Sequence, residues 1–525
     1  MKRMTKPIAL ALLVAVGVTT IMSGCGSSGS NPSSVASNPA STIAASDSST
    51  AISAATSTDL ASQPPVTLTW YYGGPGPEPD DSTVFAAVNN LIKAKINATV
   101  NWIPVTFGTY NQQMSTIIAS GQNYDLCYTA NWMNSYVANV ATGAFTPLDE
   151  LLQKDAPQTY ASVPQIFWNA VKIGGKIYGV VNQQVSARAA SIIIPQDDAT
   201  KYGFDQSSYV PGDLSSLTPY LAKVYAAIGN DQYANIDITS VPEYLGQDWI
   251  GGYAVPGCIT ATDNSLQVYD QWESPGMLKL IDLLYQWGQA GYMNTKARQT
   301  LPDDSSIGDA RTHKYTIHIG GTYKPGDAAY EETAYGYPWV ELGSNTPILS
   351  TGGIQATLTA ISATSKNPDR AMQLIELMNT DQDIYMTINY GIKDTHWTTD
   401  ANGQLIAGPQ NSKYNPQVPW ELATNYLAVP QAGQPADVWQ QTKDFNNNAI
   451  ASQALGFSFD TTPVKTQIAA CAAVLSTSAI RQISVGALSP DQYQSEIVSK
   501  LKAAGSDQII TEMQKQLTAW KAGFQ

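Results

Sequence analysis

The chain has 525 residues, a formal charge of −14 and an isoelectric point near 4.6, and its 28 Lys and Arg lack the basic footprint of a nucleic-acid binder. Charged residues make up 13%, against ~25% in an average soluble domain, which excludes charge-driven disorder for most of the chain. The 12 Trp and 28 Tyr against 9 Phe suit half-wet surfaces, because both rings pair an apolar face with a hydrogen-bonding tip, and this balance fits a neutral polar ligand.

The N-terminus reads MKRMTKPIALALLVAVGVTTIMSGCGSSGS. Lys2, Arg3 and Lys6 form a basic leader, and Ile8 to Val18 an apolar run too short to span a bilayer comfortably. Met22-Ser23-Gly24-Cys25 resembles the bacterial lipoprotein box, with Met where the box favours Leu. That resemblance implies that residues 1–24 are a removed signal peptide and that Cys25 is lipidated. More than one acyl chain would make the anchor durable. Residues 25–65 are rich in Ser, Ala and Thr, with Asp47 and Asp59 the only charges, the composition of a flexible tether. No later segment is apolar for long enough to be a transmembrane helix. The expected location is therefore extracytoplasmic, lipid-anchored to the outer face of the cell membrane. Cys127, Cys258 and Cys471 stand far apart in sequence and read as three buried thiols.

From Val66 onward strands and helices alternate. Val66, Leu68 and Trp70 alternate with Thr67 and Thr69 as a strand. After GGPGPEPDD, Ser82 is placed to cap a helix carrying Val84, Phe85, Val88, Leu91 and Ile92. ATVNWIPV is a second strand, TYNQQMSTIIAS a helix stopped by Gly121, and NYDLCYT a third strand. This order argues for an α/β fold with a mainly parallel sheet. Further on, Asn367-Pro368, Thr462-Pro463 and Ser489-Pro490 open helices, and Asp400-Ala401-Asn402-Gly403 makes a hairpin turn. A C-terminal helix aligns Ile510, Met513, Leu517 and Trp520.

Several chemistries find no anchor in the residues. His313, His318 and His396 stand in no metal-binding spacing, and TTDANGQ lacks the final Glu of a calcium loop, so no metal and no cofactor are expected. There is no phosphate-binding G-x-x-x-x-G-K-[ST] and no G-x-S-x-G elbow. The 42 Asp and Glu leave room for the carboxylate pair of a glycoside hydrolase.

The segment GQNYDLCYTANWMNSYVANVATGAFTPLDELL, followed by GGKIYGVVNQQ, resembles the extracellular solute-binding proteins of family 1, in their carbohydrate-binding branch. GGIQATLTAISATSKNPDRAMQLIELMNTD is similar to that family's hinge-crossing strand and helix. INYGIKDTHWT, GFSFDTTPVKTQIAAC and KLKAAGSDQIITEMQKQLTAW resemble its large LplA-like lipoproteins. The resemblance covers the body from Val66. It implies a two-lobed clamp of the type II, maltose-binding-protein-like periplasmic-binding-protein fold, hinged by crossing strands. The expected lobes are 66–185 with 357–412, and 186–356 with 413–525. The implied partners are an oligosaccharide in the cleft and the transmembrane subunits of an ABC importer, with membrane contact through the lipid alone, no nucleic acid, and a monomeric state. No catalysis is implied. A surface-anchored glycoside hydrolase, and a receptor for peptides or other solutes, remain the alternatives.

Ligand residues follow partly from the resemblance and partly from geometry. The relative's sugar-contacting loop corresponds to Thr129, Asn131 and Trp132, with Asp125 before it in a structural, capping or hinge-directed role. Tyr71 and Tyr72 end the first strand, where open α/β sheets bind ligands, while Trp70 continues the inward alternation. Gln183 and Gln184 lie near the first crossover, one of them facing the cleft. Trp249 and Tyr253 sit in a Gly-rich loop as a second stacking face, and Tyr323 holds a place where the relative has Trp. Trp339 fits strand core and cleft equally, and His396-Trp397 reads as structural.

Overall fold

The computed structural model describes residues 60–238, 241–252, 254–299, 311–343 and 345–523; the leader, residues 25–59 of the tether with Cys25, and Tyr253 lie outside them. The first lobe opens as β1 (Val66–Gly74), α1 (Asp81–Ile96), β2 (Ala98–Thr106), α2 (Phe107–Ala119) and β3 (Leu126–Thr129). β1 lies parallel to β2 from Val66 opposite Ala98 to Gly74 opposite Thr106, and parallel to β3 on its other edge. From Trp70 to Gly74 both faces of β1 are buried, as expected of a central parallel strand covered on both sides. α1 buries Val84, Val88, Ile92 and Ile96, one row at four-residue spacing, with Phe85 and Leu91 half-buried on its flanks. It begins at Asp81, so Ser82 lies inside the first turn and is not the cap. α2 ends just before Gly121, whose φ of 66° takes the chain out of the helix at no steric cost.

After a hairpin on Gly174 and Gly175, β4 (Val180–Val181) leads the chain out of this lobe through β5 (Ala187–Arg188). The second lobe holds β6 (Ala190–Pro195), β7 (Tyr233–Ile236), α3 (Pro275–Gln289), β8 (Tyr315–Thr322) and β9 (Trp339–Gly343). Its sheet runs β9-β6-β8-β7, with β8 antiparallel to β6 and parallel to β7. The chain returns through β10 (Ile348–Leu349), and β11 (Leu358–Ile361) inserts antiparallel beside β3, completing the order β2-β1-β3-β11-β4. α4 (Pro368–Thr380) starts on Pro368, and Asp400 closes the hairpin of β12 (Trp397–Thr399) and β13 (Leu405–Ala407) by accepting the Asn402 and Gln404 N–H groups. α5 (Val438–Asn447), β14 (Ile450–Ala451), α6 (Lys465–Val474) and α7 (Ser506–Ala522) follow. On α7 the fully buried row is Ile509, Met513 and Leu517; Ile510 and Trp520 are half-buried at its margins.

Two cores result. One surrounds the first sheet with Trp70, Tyr110, Tyr128, Trp168 and Tyr385; the other surrounds the second sheet with Trp272, Trp287, Ile317 and Met513. Cys127, Cys258 and Cys471 are buried free thiols. Between the cores, β10 pairs antiparallel with β5 and parallel with β14, a small sheet made where the chain passes from lobe to lobe. Asn446 of α5 ties this crossing down. Its Oδ1 accepts the N–H groups of Ser186 (2.8 Å) and Ala187 (2.9 Å), and its Nδ2 donates to the Gln184 carbonyl (2.7 Å).

Candidate functional site

Two adjoining cavities open beside the hinge sheet. The larger, about 560 Å³, is lined by Trp132 and Trp420 of the first lobe, by Gln184 and Arg188 at the crossing, and by Ser191, His318, Thr322, Lys324, Asp327 and Tyr335 of the second. The smaller, about 220 Å³, is lined by Asn131, Gln247, Asp248, Trp249, Ser350 and Gly352. Trp132, Arg188 and Ala356 line both, forming the wall between them.

The first-lobe wall is an aromatic cluster. Trp132 is 50% exposed and its ring lies 6.1 Å from Trp420, while Trp420 stacks on Phe107 at 6.1 Å with planes 5° apart. Tyr128 supports both indoles from below, edge-on, at 6.1 and 5.9 Å. The loop after β3 is held rigidly: Thr129 Oγ1 donates to the Asn134 carbonyl (2.5 Å), and Trp132 Nε1 and Tyr128 Oη both donate to the Ala356 carbonyl (2.8 Å each). The exposed Trp132 indole, fixed in this way, can stack on the C–H face of a ring ligand without first losing rotamer freedom. Behind Trp420, Glu421 is fully buried. Its Oε1 accepts the Gly73 N–H (3.1 Å) and its Oε2 has no partner, and burial raises its pKa well above the ordinary range.

The second-lobe wall is polar. Arg188 donates to Thr322 Oγ1 (2.5 Å) and Lys324 pairs with Asp327 (3.0 Å). His318 meets Asn235 Nδ2 through Nδ1 (2.8 Å), stacks on Tyr315, and is pushed by burial down to about 4, so it is neutral at physiological pH. In the smaller cavity Asp248 accepts from Ser452 (2.5 Å), and burial raises its pKa too. Among the described residues no group of three His, Cys, Asp or Glu is placed to hold a metal ion.

The residues singled out from sequence divide sharply. Trp132, Asn131 and Trp249 come together on the two cavities, with Trp249 Nε1 fixed by Gln247 (2.7 Å). Thr129 is wholly buried and holds the loop in shape. Tyr71 and Tyr72 lie elsewhere, because β1 continues to Gly74 and keeps both inside the ladder. Tyr72 packs edge-on against Trp102, and Tyr71 reaches a surface hollow on α2, its hydroxyl accepting from Gln122 (3.2 Å). Gln183 turns away from the cleft to Ser162 Oγ (3.1 Å), and its neighbour Gln184 lines the larger cavity. Similarly Tyr323 turns to Phe445 while Thr322 and Lys324 face the cavity. Both pairs follow the alternation of extended chain. Trp339 is buried against Tyr335 and Tyr337 as strand core. Asp125 is structural, accepting from the Thr69 N–H (2.9 Å) and Ser365 (2.5 Å), as is His396, which bonds Asp80 (3.2 Å). No local pattern marks Trp420 or Arg188: VPWELATNY carries no strand or Gly-rich signal, and Arg188 sits on a two-residue strand.

Residues 453–522 match a domain of unknown function, DUF3502, which spans the C-terminal part of the second core. Over 460 residues, 84% of this chain and 88% of the other, the sequence is 25% identical to a carbohydrate ABC transporter substrate-binding protein of Streptococcus pneumoniae serotype 4. The fold is similar to that of the N-glycan transport solute binding protein NgtS of Streptococcus pneumoniae, with TM-score 0.76, 22% identity, and 88% of this chain and 100% of that one covered. It is also similar to the S. pneumoniae substrate-binding protein FusA, solved with kestose, at TM-score 0.59, 13% identity, and coverage of 87% and 100%. Over most of its length this chain therefore shares the two-lobed fold of solved solute-binding proteins, and it is similar in sequence to a carbohydrate ABC transporter substrate-binding protein.

Proposed function

We propose that this protein is the substrate-binding component of an ABC importer and captures an oligosaccharide in the cleft between its lobes. The observation that carries the reading is the cleft itself: the fixed, exposed indole of Trp132, with the partly buried Trp420 beside it, faces hydroxyl, amide and charged groups on the other wall, across a hinge sheet. Sugars present C–H faces for the first and hydroxyls for the second. The carbohydrate ABC transporter relative and NgtS, an N-glycan transport protein by name, support it. Hydrolysis would need two facing carboxylates in one cavity. Among the described residues the larger cavity has Asp327, paired to Lys324, as its one lining carboxylate and the smaller has Asp248, which favours capture over cleavage.

The lobes of this clamp follow its cores. Val418, Leu422 and Ala428 pack in the first core, so the segment 413–449 belongs to the first lobe in this reading, and the second lobe resumes near Ala454. Delivery goes to the transmembrane subunits of the importer, from a body tethered through lipid on Cys25. Thermal unfolding of the purified protein against panels of oligosaccharides and peptides tests the cargo. A ligand present at a hundred times its Kd adds about 2.7 kcal/mol of stability. Stabilisation by peptides and by no sugar would refute the carbohydrate reading.

A further inference from the structure

One of the charges lining the cleft is not matched by an ion pair, and it stands at the hinge. Lys324 and Asp327 neutralise each other, and His318 is kept neutral by burial. Asp248, on the smaller cavity, is buried against Ser452, to which it is hydrogen-bonded, and makes no ion pair with Arg188. Arg188 is left over. It is half-buried on the hinge strand β5, it lines both cavities, and its one hydrogen bond is to a neutral hydroxyl, Thr322. No carboxylate among the described residues comes within 4.0 Å of it. This occurs in a chain of net charge −14, with 42 acidic residues available as counterions.

A half-desolvated guanidinium without a counterion is costly, and closing a cleft over it removes more water and raises that cost. A neutral ligand would leave the charge stranded in the closed state. A carboxylate would pair with it, bidentately, and would shift the open–closed equilibrium by the energy of that pair. We propose that Arg188 determines the substrate class: the cleft selects an oligosaccharide carrying a uronic or sialic acid unit, whose carboxylate sits on Arg188 beside the Trp132 ring. The inference rests on the sugar-binding reading of the cleft and narrows it.

A printed glycan array bearing neutral oligosaccharides beside their sialylated or uronate-containing counterparts tests it directly, followed by titration calorimetry of the tightest ligand. The expected result is acidic glycans binding about tenfold or more tighter than their neutral counterparts, an advantage that shrinks as salt is raised. Arg188→Gln should reduce the acidic glycan to the affinity of its neutral counterpart, whereas Arg188→Lys keeps the charge and should retain part of the preference. The salt titration on the unaltered protein tests the same point without relying on how either variant folds. Equal or tighter binding of the neutral glycans overturns the inference and leaves the sugar-binding reading standing. If no glycan of either kind binds, that reading falls and the inference falls with it.

Discussion

Trp132 and Trp420 share one cluster but divide its tasks. Trp132 is half exposed, so Trp132→Ala should change the stability of the free protein by less than about 1 kcal/mol, while Trp420, wedged between Phe107 and Tyr128, should cost more. Each substitution should weaken sugar binding by about 1–2 kcal/mol, roughly 5- to 30-fold, in titration calorimetry. Trp339→Ala is the contrast: it should lower the melting temperature and affect the Kd far less than either cleft substitution, since Trp339 lines neither cavity and meets the larger one only through Tyr335. Glu421 behaves differently again. Its folded pKa is raised, so the folded state holds the proton after the unfolded chain has released it, and stability falls as pH rises through that window. Glu421→Gln preserves an acceptor for the Gly73 N–H and removes the titration. Above an unfolded value of ~4.3, the wild type should lose about 1.4 kcal/mol per pH unit relative to the Gln variant, until its folded pKa is reached. Parallel pH–stability curves for the two proteins would show that Glu421 is ionised in the fold.

At the scale of elements, what was legible in the sequence is what periodicity and punctuation encode. The β-α-β-α-β opening, the Pro-initiated α4, the Asp400 hairpin and the loop carrying Trp132 are all local, and all were readable. The misplaced residues depended on something local pattern does not carry. Tyr71 and Tyr72 hinge on how far β1 is paired, which β2 decides by running to Thr106. Gln183 and Tyr323 hinge on phase along an extended segment, where a slip of one residue exchanges inside for outside. Trp420 and Arg188 reach the cleft through long-range packing between segments more than two hundred residues apart. The hinge shows the same dependence, because its clamp comes from a helix far downstream. Asn446→Ala would strand the N–H groups of Ser186 and Ala187 in a buried crossing, and should cost about 2–4 kcal/mol in urea unfolding. A loss below about 1 kcal/mol would mean that the crossing is held by its sheet pairing alone.

For the whole molecule, the proposed role raises the question of what would keep such a receptor near an importer. Among the described residues no helix is long and apolar enough to cross a membrane, and the two cores are each closed over their own apolar side chains. In the proposed reading attachment runs through acyl chains on Cys25, and because one chain alone binds only marginally, that reading requires durable, covalent, multiple acylation. This separates anchoring from recognition: the sugar-binding lobes should not sense whether the lipid is there. Cells fed a clickable palmitate analogue should label the wild-type protein and leave Cys25→Ser unlabelled. The unlabelled protein, once purified, should show the same ligand-induced rise in melting temperature as the wild type, because no residue of either cavity is altered. Label retained in the Cys25→Ser protein would place the acylation elsewhere and remove the lipoprotein reading of MSGC. A lost thermal response in that variant would instead mean that the N-terminal region takes part in binding, and that the cleft between the lobes is not the whole site.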